Sequence, residues 1–216
     1  MSVKGVFFDL DGTLIDSRGD LAAAVNHVRK SNGLAELPLE TVASYAGNGL
    51  SKLVERSFPE IAVTAEIDNA VREYYSAHEV VFTTLYPGVR EGLSALAAAG
   101  LMLAVVTNKA GTNTVNILQK LEVAEFFTEI FGAGGGFALK PSPEGIEHLL
   151  GKYRLATTDC WMLGDHYTDL AAARQAGVQR ALASWGFGSL NGEEFDRKFA
   201  DFSEFTEFIL SSRSTS

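Results

Sequence analysis

Side chains that could bind a cation or an anion follow the apolar runs of this sequence. In chain order they are Asp9, Asp11, Thr107, Asn108, Lys140, Asp165 and Asp169. Carboxylates gathered at one point repel one another unless a cation lies among them, and hard oxygen ligands of this kind suit Mg²⁺. The residue types therefore predict a magnesium site with positive charge from Lys140 beside it.

The apolar runs themselves predict buried strands. They cover residues 3–8, 101–106, 129–131, 160–163 and 180–183. Patterns with helical spacing lie among them at residues 89–99, 114–121, 146–153 and 170–176. This alternation predicts an α/β fold with a Rossmann-like parallel sheet that is covered on both faces. Ligands bind outside the carboxyl ends of the strands in such a sheet, so the polar residues should converge there.

The interval 16–84 has no strand-like run and carries four apolar stripes at helical spacing, of which Leu21, Val25 and Val28 form the first. It is too long for a connection but suits a small domain. We therefore predict an inserted, all-helical cap domain at residues 16–84. The α/β core would then comprise residues 1–15 and 85–216.

Each motif alone has a simpler interpretation. Asp-Gly after a strand is an ordinary hairpin signal, and Thr107-Asn108 alone would be a strand end or a helix cap. An EF-hand loop is excluded because Leu14 stands where a glycine is required, and a Walker A loop is excluded because Leu139 precedes Lys140. The joint occurrence of the motifs is what favours a catalytic site.

The ordered motifs resemble those of the haloacid dehalogenase-like superfamily. They are Asp9-Leu10-Asp11-Gly12-Thr13-Leu14, Thr107-Asn108, Lys140-Pro141, and Gly164-Asp165 with Asp169. The resemblance spans nearly the whole chain and includes a helical cap between the first and second core strands. It implies the same Rossmann-like core that the strand pattern predicts.

The resemblance also implies a role for each motif. Asp9 would be the nucleophile that takes the phosphoryl group, and Asp11 the acid/base that protonates the leaving alcohol and then activates water. Mg²⁺ would be bound by Asp9, Asp165 and the backbone carbonyl of Asp11, with Asp169 supporting that shell. The phosphoryl oxygens would be held by Thr107, Asn108 and Lys140. Dehalogenating and phosphonate-cleaving members lack an acid at the position of Asp11, so the resemblance implies a phosphatase.

The cap is similar to that of phosphoglycolate phosphatases and their close relatives. The similar segments are 45–50 and 74–75 leading to 85–89, and residues 185–186 are similar to the substrate-side loop of the same group. Gly49 would begin a cap helix whose free N–H groups attract an anion, and Arg56 would face a small carboxylated phosphate. Alternatively, Lys52 and Arg56 merely solvate the outer face of that helix. His166 departs from the family pattern, which commonly has serine there, and is expected to shape the entrance.

Other substrates stay open because the cap pattern is less specific than the core motifs. They include pyrophosphate, a nucleotide and a sugar phosphate, although residues 19–21 lack the histidine that mutases generally carry near the hinge. A non-catalytic module that binds phosphate is the alternative from a different class. The oligomeric state is left without a prediction.

Composition limits the partners and the compartment. The formal net charge of −9 argues against a nucleic-acid partner, which needs a basic stripe to neutralise phosphates. Cys160 is the only cysteine, so an internal disulfide is impossible and a reducing, cytoplasmic compartment is expected. No apolar run reaches the roughly 20 residues that cross a bilayer, so no membrane partner is expected.

Overall fold

The structure is a computed structural model that describes residues 3–212. The strands of this part of the chain are β1 (Gly5–Phe8), β2 (Ile15–Asp16), β3 (Thr84–Leu85), β4 (Met102–Ala110), β5 (Glu129–Ala133), β6 (Cys160–Gly164), β7 (Gln179–Ala183) and β8 (Arg197–Phe199). The helices are α1 (Arg18–Ser31), α2 (Leu39–Ala43), α3 (Leu50–Ser57), α4 (Ala65–Ala77), α5 (Val89–Ala98), α6 (Gly111–Lys120), α7 (Glu144–Tyr153), α8 (Tyr167–Ala176) and α9 (Phe202–Ser211). None of these helices is both long and apolar enough to span a membrane.

A six-stranded sheet in the order β5-β4-β1-β6-β7-β8 forms the centre of the fold, and every neighbouring pair is parallel. This confirms the predicted Rossmann-like α/β class. The chain builds the sheet outward from β1 through β4 to β5, and then returns to the other side of β1 with β6. The strand order therefore reverses at β1, and a crevice opens there at the carboxyl ends of the strands.

The central strand β1 is buried on both faces because its residues alternate between two apolar clusters. On one face the ring of Phe8 lies 5.9 Å from that of Phe202 and 6.2 Å from that of Phe205. On the other face Phe7 belongs to a cluster that includes Ile146 of α7. Covering helices on both faces thus fix the strand that carries the first acidic motif.

Strand β8 and helix α9 were not among the predicted elements. The spacing of Phe202, Phe205 and Ile209 is the helical signal that was available, and all three side chains are buried. Asp201 caps α9 by accepting a hydrogen bond from the backbone N–H of Glu204 at 2.9 Å. This segment supplies the outer strand and the helix that contacts Phe8.

The four predicted cap helices are present as α1 to α4 between β2 and β3. The interval is not helical at its two ends, where Asp16 pairs with Thr84 and Ile15 with Leu85 in an antiparallel two-stranded sheet. Two residues per strand are too few to give a period-2 signal. The division into a core and a cap domain stays a prediction, with this small sheet at the proposed boundaries.

Asp20, near the start of α1, holds the segment that returns from the cap. Its buried carboxylate accepts hydrogen bonds from the backbone N–H groups of Val81, Phe82 and Thr83 at 2.9 to 3.1 Å. The hydroxyl of Thr83 donates a further bond at 2.7 Å. One side chain thus joins the beginning and the end of the inserted helices.

We expect Asp20→Ala to lower the free energy of unfolding by about 3 kcal/mol, because it leaves buried N–H donors without an acceptor. Urea unfolding measures this loss. Asp68→Ala is the matched control, since Asp68 forms a partly exposed pair with Arg72 on α4, and its removal should cost about 0.5 kcal/mol or less. Equal losses in the two variants would contradict the role assigned to Asp20.

Candidate active site

The carboxyl ends of β1, β4 and β6 bring the sequence motifs together beside the point where the strand order reverses. Asp9 follows β1, Asp165 follows β6, and residues 107–109 occupy the end of β4. Lys140 reaches the same place from the segment between β5 and α7, and Asp169 from the first turn of α8. The motifs are far apart in sequence, but the parallel sheet collects them at one edge.

Three buried carboxylates and one buried ammonium form the centre of the site. Oxygen atoms of Asp9, Asp165 and Asp169 all lie within 4.8 Å of one another. The Nζ atom of Lys140 lies 2.7 Å from Asp9 and 2.6 Å from Asp169. With the carboxyl groups ionised, the cluster has two more negative charges than positive ones, which is the charge of one divalent cation.

Backbone N–H groups hold two of these carboxylates in place. Asp165 accepts hydrogen bonds from Phe187 and Gly188 at 2.9 and 2.8 Å, both to the same oxygen. Asp169 accepts one from His166 at 3.0 Å. Gly186 packs directly against Asp165. The segment 185–188 therefore supports the acidic cluster.

The electrostatics of the cluster reflect its excess of negative charge. Burial and the neighbouring Asp169 carboxylate raise the pKa of Asp9 to about 6, although Lys140 opposes this shift. Burial, together with Asp169 and Asp9, raises the pKa of Asp165 well above its ordinary value. A bound cation would relieve both shifts, because it favours the ionised form of each carboxyl group.

Asp11 lies beside this cluster with a different partner. Its carboxylate oxygens lie 2.9 and 3.0 Å from the Nζ atom of Lys109, and the hydroxyl of Ser17 donates to it at 2.5 Å. The Asp11 side chain is not part of the three-carboxylate group, and the metal contact expected of Asp11 is through its backbone carbonyl. Its position between a buried lysine and the cavity suits a proton-transfer group.

Lys109 is the site residue that the sequence interpretation missed. Burial lowers the pKa of its ammonium, but Asp11 and Tyr75 outweigh that effect, so the pKa is raised and the group is charged. The available signal was a lysine directly after Thr107-Asn108, at the end of an apolar run. Such a lysine is seldom buried without a charged partner, and Asp11 is that partner here.

The amide of Asn108 connects the cap to the core. Its Nδ2 donates to the backbone carbonyls of Gly47 at 3.0 Å and Lys140 at 2.9 Å, and its Oδ1 accepts from the Lys140 N–H at 2.8 Å. Both amide donors are therefore used within the protein. The hydroxyl of Thr107 accepts from the backbone N–H of Lys109 at 3.3 Å. The phosphoryl contacts assigned to Asn108 and Thr107 stay predictions.

A cavity of about 50 Å³ lies between this edge of the sheet and the cap helices. The core contributes Asp9, Asp11, Thr107, Asn108, Lys109, Ala110 and Asn113 to its lining. The cap contributes Leu21, Ala46, Gly47, Gly49, Leu50, Leu53 and Tyr75. The predicted positions at Gly49 and Asn108 thus border the cavity.

Arg56 is not brought into this cavity. Its side chain is exposed and donates to the backbone carbonyl of Tyr45 at 3.1 Å. The apolar face of α3, with Leu50 and Leu53, is the face that lines the cavity. In this structure Arg56 therefore lies on the polar outer face of α3, as in the alternative interpretation.

His166 is a buried structural residue at the start of α8. Its Nδ1 lies 2.9 Å from the hydroxyl of Thr168 and caps the helix, and burial lowers its pKa to about 4. The imidazole is therefore neutral at pH 7. It lies directly under Gly47, where a β-carbon would come within 2.8 Å of three ring atoms. His166 thus defines how closely the cap loop approaches the core.

Buried acids at the switch point of a parallel sheet, beneath an inserted set of helices, characterise the class of capped α/β hydrolases. A family model described as haloacid dehalogenase-like hydrolase matches residues 6–183, and the chain belongs to this family.

Named relatives and a solved structure cover nearly the same length. The chain is 38% identical over 199 residues to phosphoglycolate phosphatase of Nitrosospira multiformis, covering 87% of this chain and 86% of that protein. It is 36% identical over 196 residues to phosphoglycolate phosphatase of Neisseria meningitidis, covering 87% and 83%. The crystal structure of a predicted phosphoglycolate phosphatase from Haemophilus somnus superposes with a TM-score of 0.90 at 30% identity, covering 96% of this chain and 98% of that one.

Gly47→Ala tests the contact between the cap loop and His166. Gly47 has a φ of 97°, and Gly33 has a φ of 70°. Apart from its chain neighbours, no atom of residues 3–212 lies within 4 Å of the place where the β-carbon of Gly33 would lie, so Gly33→Ala is a control for backbone strain alone. We expect Gly33→Ala to cost about 1 kcal/mol of unfolding free energy, and Gly47→Ala roughly 1 to 3 kcal/mol more because of the clash. Urea unfolding measures both, and equal costs would show that the loop is free to move away.

Proposed function

We propose that this chain is a phosphatase of phosphoglycolate type that hydrolyses a small phosphomonoester through an aspartyl-phosphate on Asp9. The observation that carries the proposal is a buried, lysine-paired Asp9 that borders a small cavity covered by the cap. Relatives that bear the name phosphoglycolate phosphatase, at 36 and 38% identity, support the substrate class.

The residues of the acidic cluster fit a magnesium ion. Their oxygen donors are the ligand type that Mg²⁺ prefers, and their excess of two negative charges matches a divalent ion. We propose that Asp9, Asp165 and the backbone carbonyl of Asp11 bind it, with Asp169 supporting them. When bound, the ion neutralises charge on the phosphoryl group and on the carboxylate that attacks it.

The chain's own residues then account for both half-reactions. A carboxylate oxygen of Asp9 attacks phosphorus while the ester P–O bond breaks, and Asp11 gives its proton to the departing alkoxide. Lys140 stabilises the negative charge near Asp9 during this step. In the second half-reaction Asp11 takes a proton from a water molecule, which attacks phosphorus and releases phosphate and free Asp9.

The cavity supports a small substrate. The cap residues lie close over Asp9 and Asp11, which favours a compact substrate over a nucleotide in this arrangement of the cap. The side chains of Leu21, Leu50 and Leu53 exclude bulk water, which protects an acyl phosphate from uncontrolled hydrolysis.

A cytoplasmic location stays a prediction, and the free, buried Cys160 thiol is compatible with it.

Asp9→Asn should lower kcat at least about 10³-fold, because an amide cannot act as the nucleophile. Hydrolysis of an aryl phosphate and of a panel of small phosphoesters, with and without chelator, measures this. Asp196→Asn is the matched control, since Asp196 pairs with Arg180 away from the site. The mechanism is wrong if folded Asp9→Asn keeps substantial magnesium-dependent activity.

Stability should depend on pH and on magnesium in a linked way. The folded-state pKa of Asp9, about 6, lies above its ordinary value of 3.8, so the folded protein retains this proton more strongly. In the presence of a chelator, the contribution of Asp9 to the free energy of unfolding is therefore present below pH 4 and is lost as the pH rises through 6. Relative to Asp9→Asn, this loss amounts to about 3 kcal/mol.

Magnesium should reverse this loss. At pH 7, an ion concentration 100 times the Kd should raise the free energy of unfolding by about 2.7 kcal/mol. Urea unfolding of wild type, Asp9→Asn and Asp165→Asn measures the effect, and both variants should respond less than wild type. A wild-type protein whose stability is unchanged by Mg²⁺ would contradict the proposed site.

A further inference from the structure

The cavity is lined by one charged side chain, that of Lys109, to which the proposed mechanism assigns no contact with the substrate. The charged residues that line it are Asp9, Asp11 and Lys109, so Lys109 is the only cation in that lining among the residues that the structure describes. The cap contributes leucines, an alanine, glycines and the single phenol of Tyr75. Any second anionic group of a substrate would therefore find Lys109 as the only positive charge among apolar, neutral polar and acidic side chains of this lining.

Tyr75 presents an unpartnered hydroxyl in the same cavity. The side chain of Tyr75 is 2% exposed, and its Oη makes no hydrogen bond of normal geometry among the described residues, although the Lys109 ammonium interacts with it electrostatically. Thr13 has the other unpartnered buried hydroxyl in residues 3–212, but it does not line the cavity. Because an unpaired buried hydroxyl is unfavourable, its retention at a cavity wall points to a bound partner.

Lys109 has capacity left for such a partner. Its ammonium has three N–H donors, and the Asp11 carboxylate accepts from it at 2.9 and 3.0 Å. The ring of Tyr75 lies against it, with the Nζ atom 4.6 Å from the ring centroid. The ammonium and the phenol are therefore adjacent, and together they offer a charged and a neutral donor.

The position of Tyr75 is set by contacts between the cap and the core. Asn113 of α6 donates to the buried carboxylate of Glu79 at 2.5 Å and to the hydroxyl of Ser76 at 3.0 Å. Lys120 of α6 adds an ion pair to Glu79 at 3.3 Å. The end of α4, which carries Tyr75, is thus fastened to the core helix that borders the same cavity.

We propose that Lys109 Nζ and Tyr75 Oη together bind the carboxylate of the substrate, and so select small phosphomonoesters that carry a carboxylate. This inference rests on the proposed phosphatase function and adds its specificity residues. One ammonium that is already shared with Asp11, plus one neutral donor, suits a monoanionic carboxylate better than a second phosphoryl dianion. The apolar walls strengthen the contact because they exclude water.

Kinetics with two matched substrates test this assignment. Phosphoglycolate and ethyl phosphate have the same number of carbon atoms, but only the first carries a carboxylate. We expect wild type to prefer phosphoglycolate. Tyr75→Phe should reduce this preference, as the ratio of the two kcat/KM values, by about tenfold and mainly through KM for phosphoglycolate. Lys109→Met should reduce the ratio by more than tenfold.

Tyr74→Phe is the matched control, because Tyr74 is the neighbouring tyrosine on α4 and its ring stacks on His27 and His78 instead of lining the cavity. Its ratio should equal that of wild type. Tyr75→Phe removes only an unpartnered hydroxyl, so it should fold, which thermal unfolding verifies.

The outcomes separate the two proposals. If wild type hydrolyses neither substrate nor an aryl phosphate, the proposed function fails. If it hydrolyses phosphate esters but Tyr75→Phe and Lys109→Met lower kcat/KM equally for both substrates, the carboxylate assignment fails alone. A shift in Tyr74→Phe as large as that in Tyr75→Phe also overturns it.

Discussion

Three buried carboxylates share one buried ammonium at the carboxyl edge of the sheet, and most features of the site follow from that imbalance. Repulsion among Asp9, Asp165 and Asp169 favours their separation, so the protein must hold them together by other means. Lys140 bridges two of them, and backbone N–H groups from residues 187–188 hold the third. The strand order, which reverses at β1, gives these groups a common meeting point.

Much of this arrangement was predictable because a parallel sheet places the residue after each strand at one edge. That rule places Asp9 and Asp165 beside each other, because each directly follows its strand, and it places Lys140 only approximately, in the loop beyond β5. Side-chain pairing across long sequence separations does not follow from it. The pairing of Lys109 with Asp11, and of Asn108 with the backbone of Lys140, depends on tertiary contacts that no local pattern encodes.

Helix faces explain why Arg56 lies outside the cavity in this arrangement, and its contact with a substrate stays a prediction. An amphipathic helix such as α3 has an apolar and a polar face. Because the expected substrate is an anion, the polar face with Arg56 was expected to border the cavity. The structure instead places Leu50 and Leu53 there, because the cavity is also the interface that buries the cap against the core. Burial of apolar area decides the orientation of a short helix more strongly than one exposed cation can.

The amide of Asn108 has a consequence for the order of events around a substrate. One of its donors binds the carbonyl of Gly47 in the cap loop, while the rest of the amide holds the backbone of Lys140. Lifting the loop breaks the first bond and leaves the others in place, so water can replace the lost partner without displacing the lysine. A movement of the cap loop at Gly47 would therefore open the cavity without disturbing the backbone of Lys140.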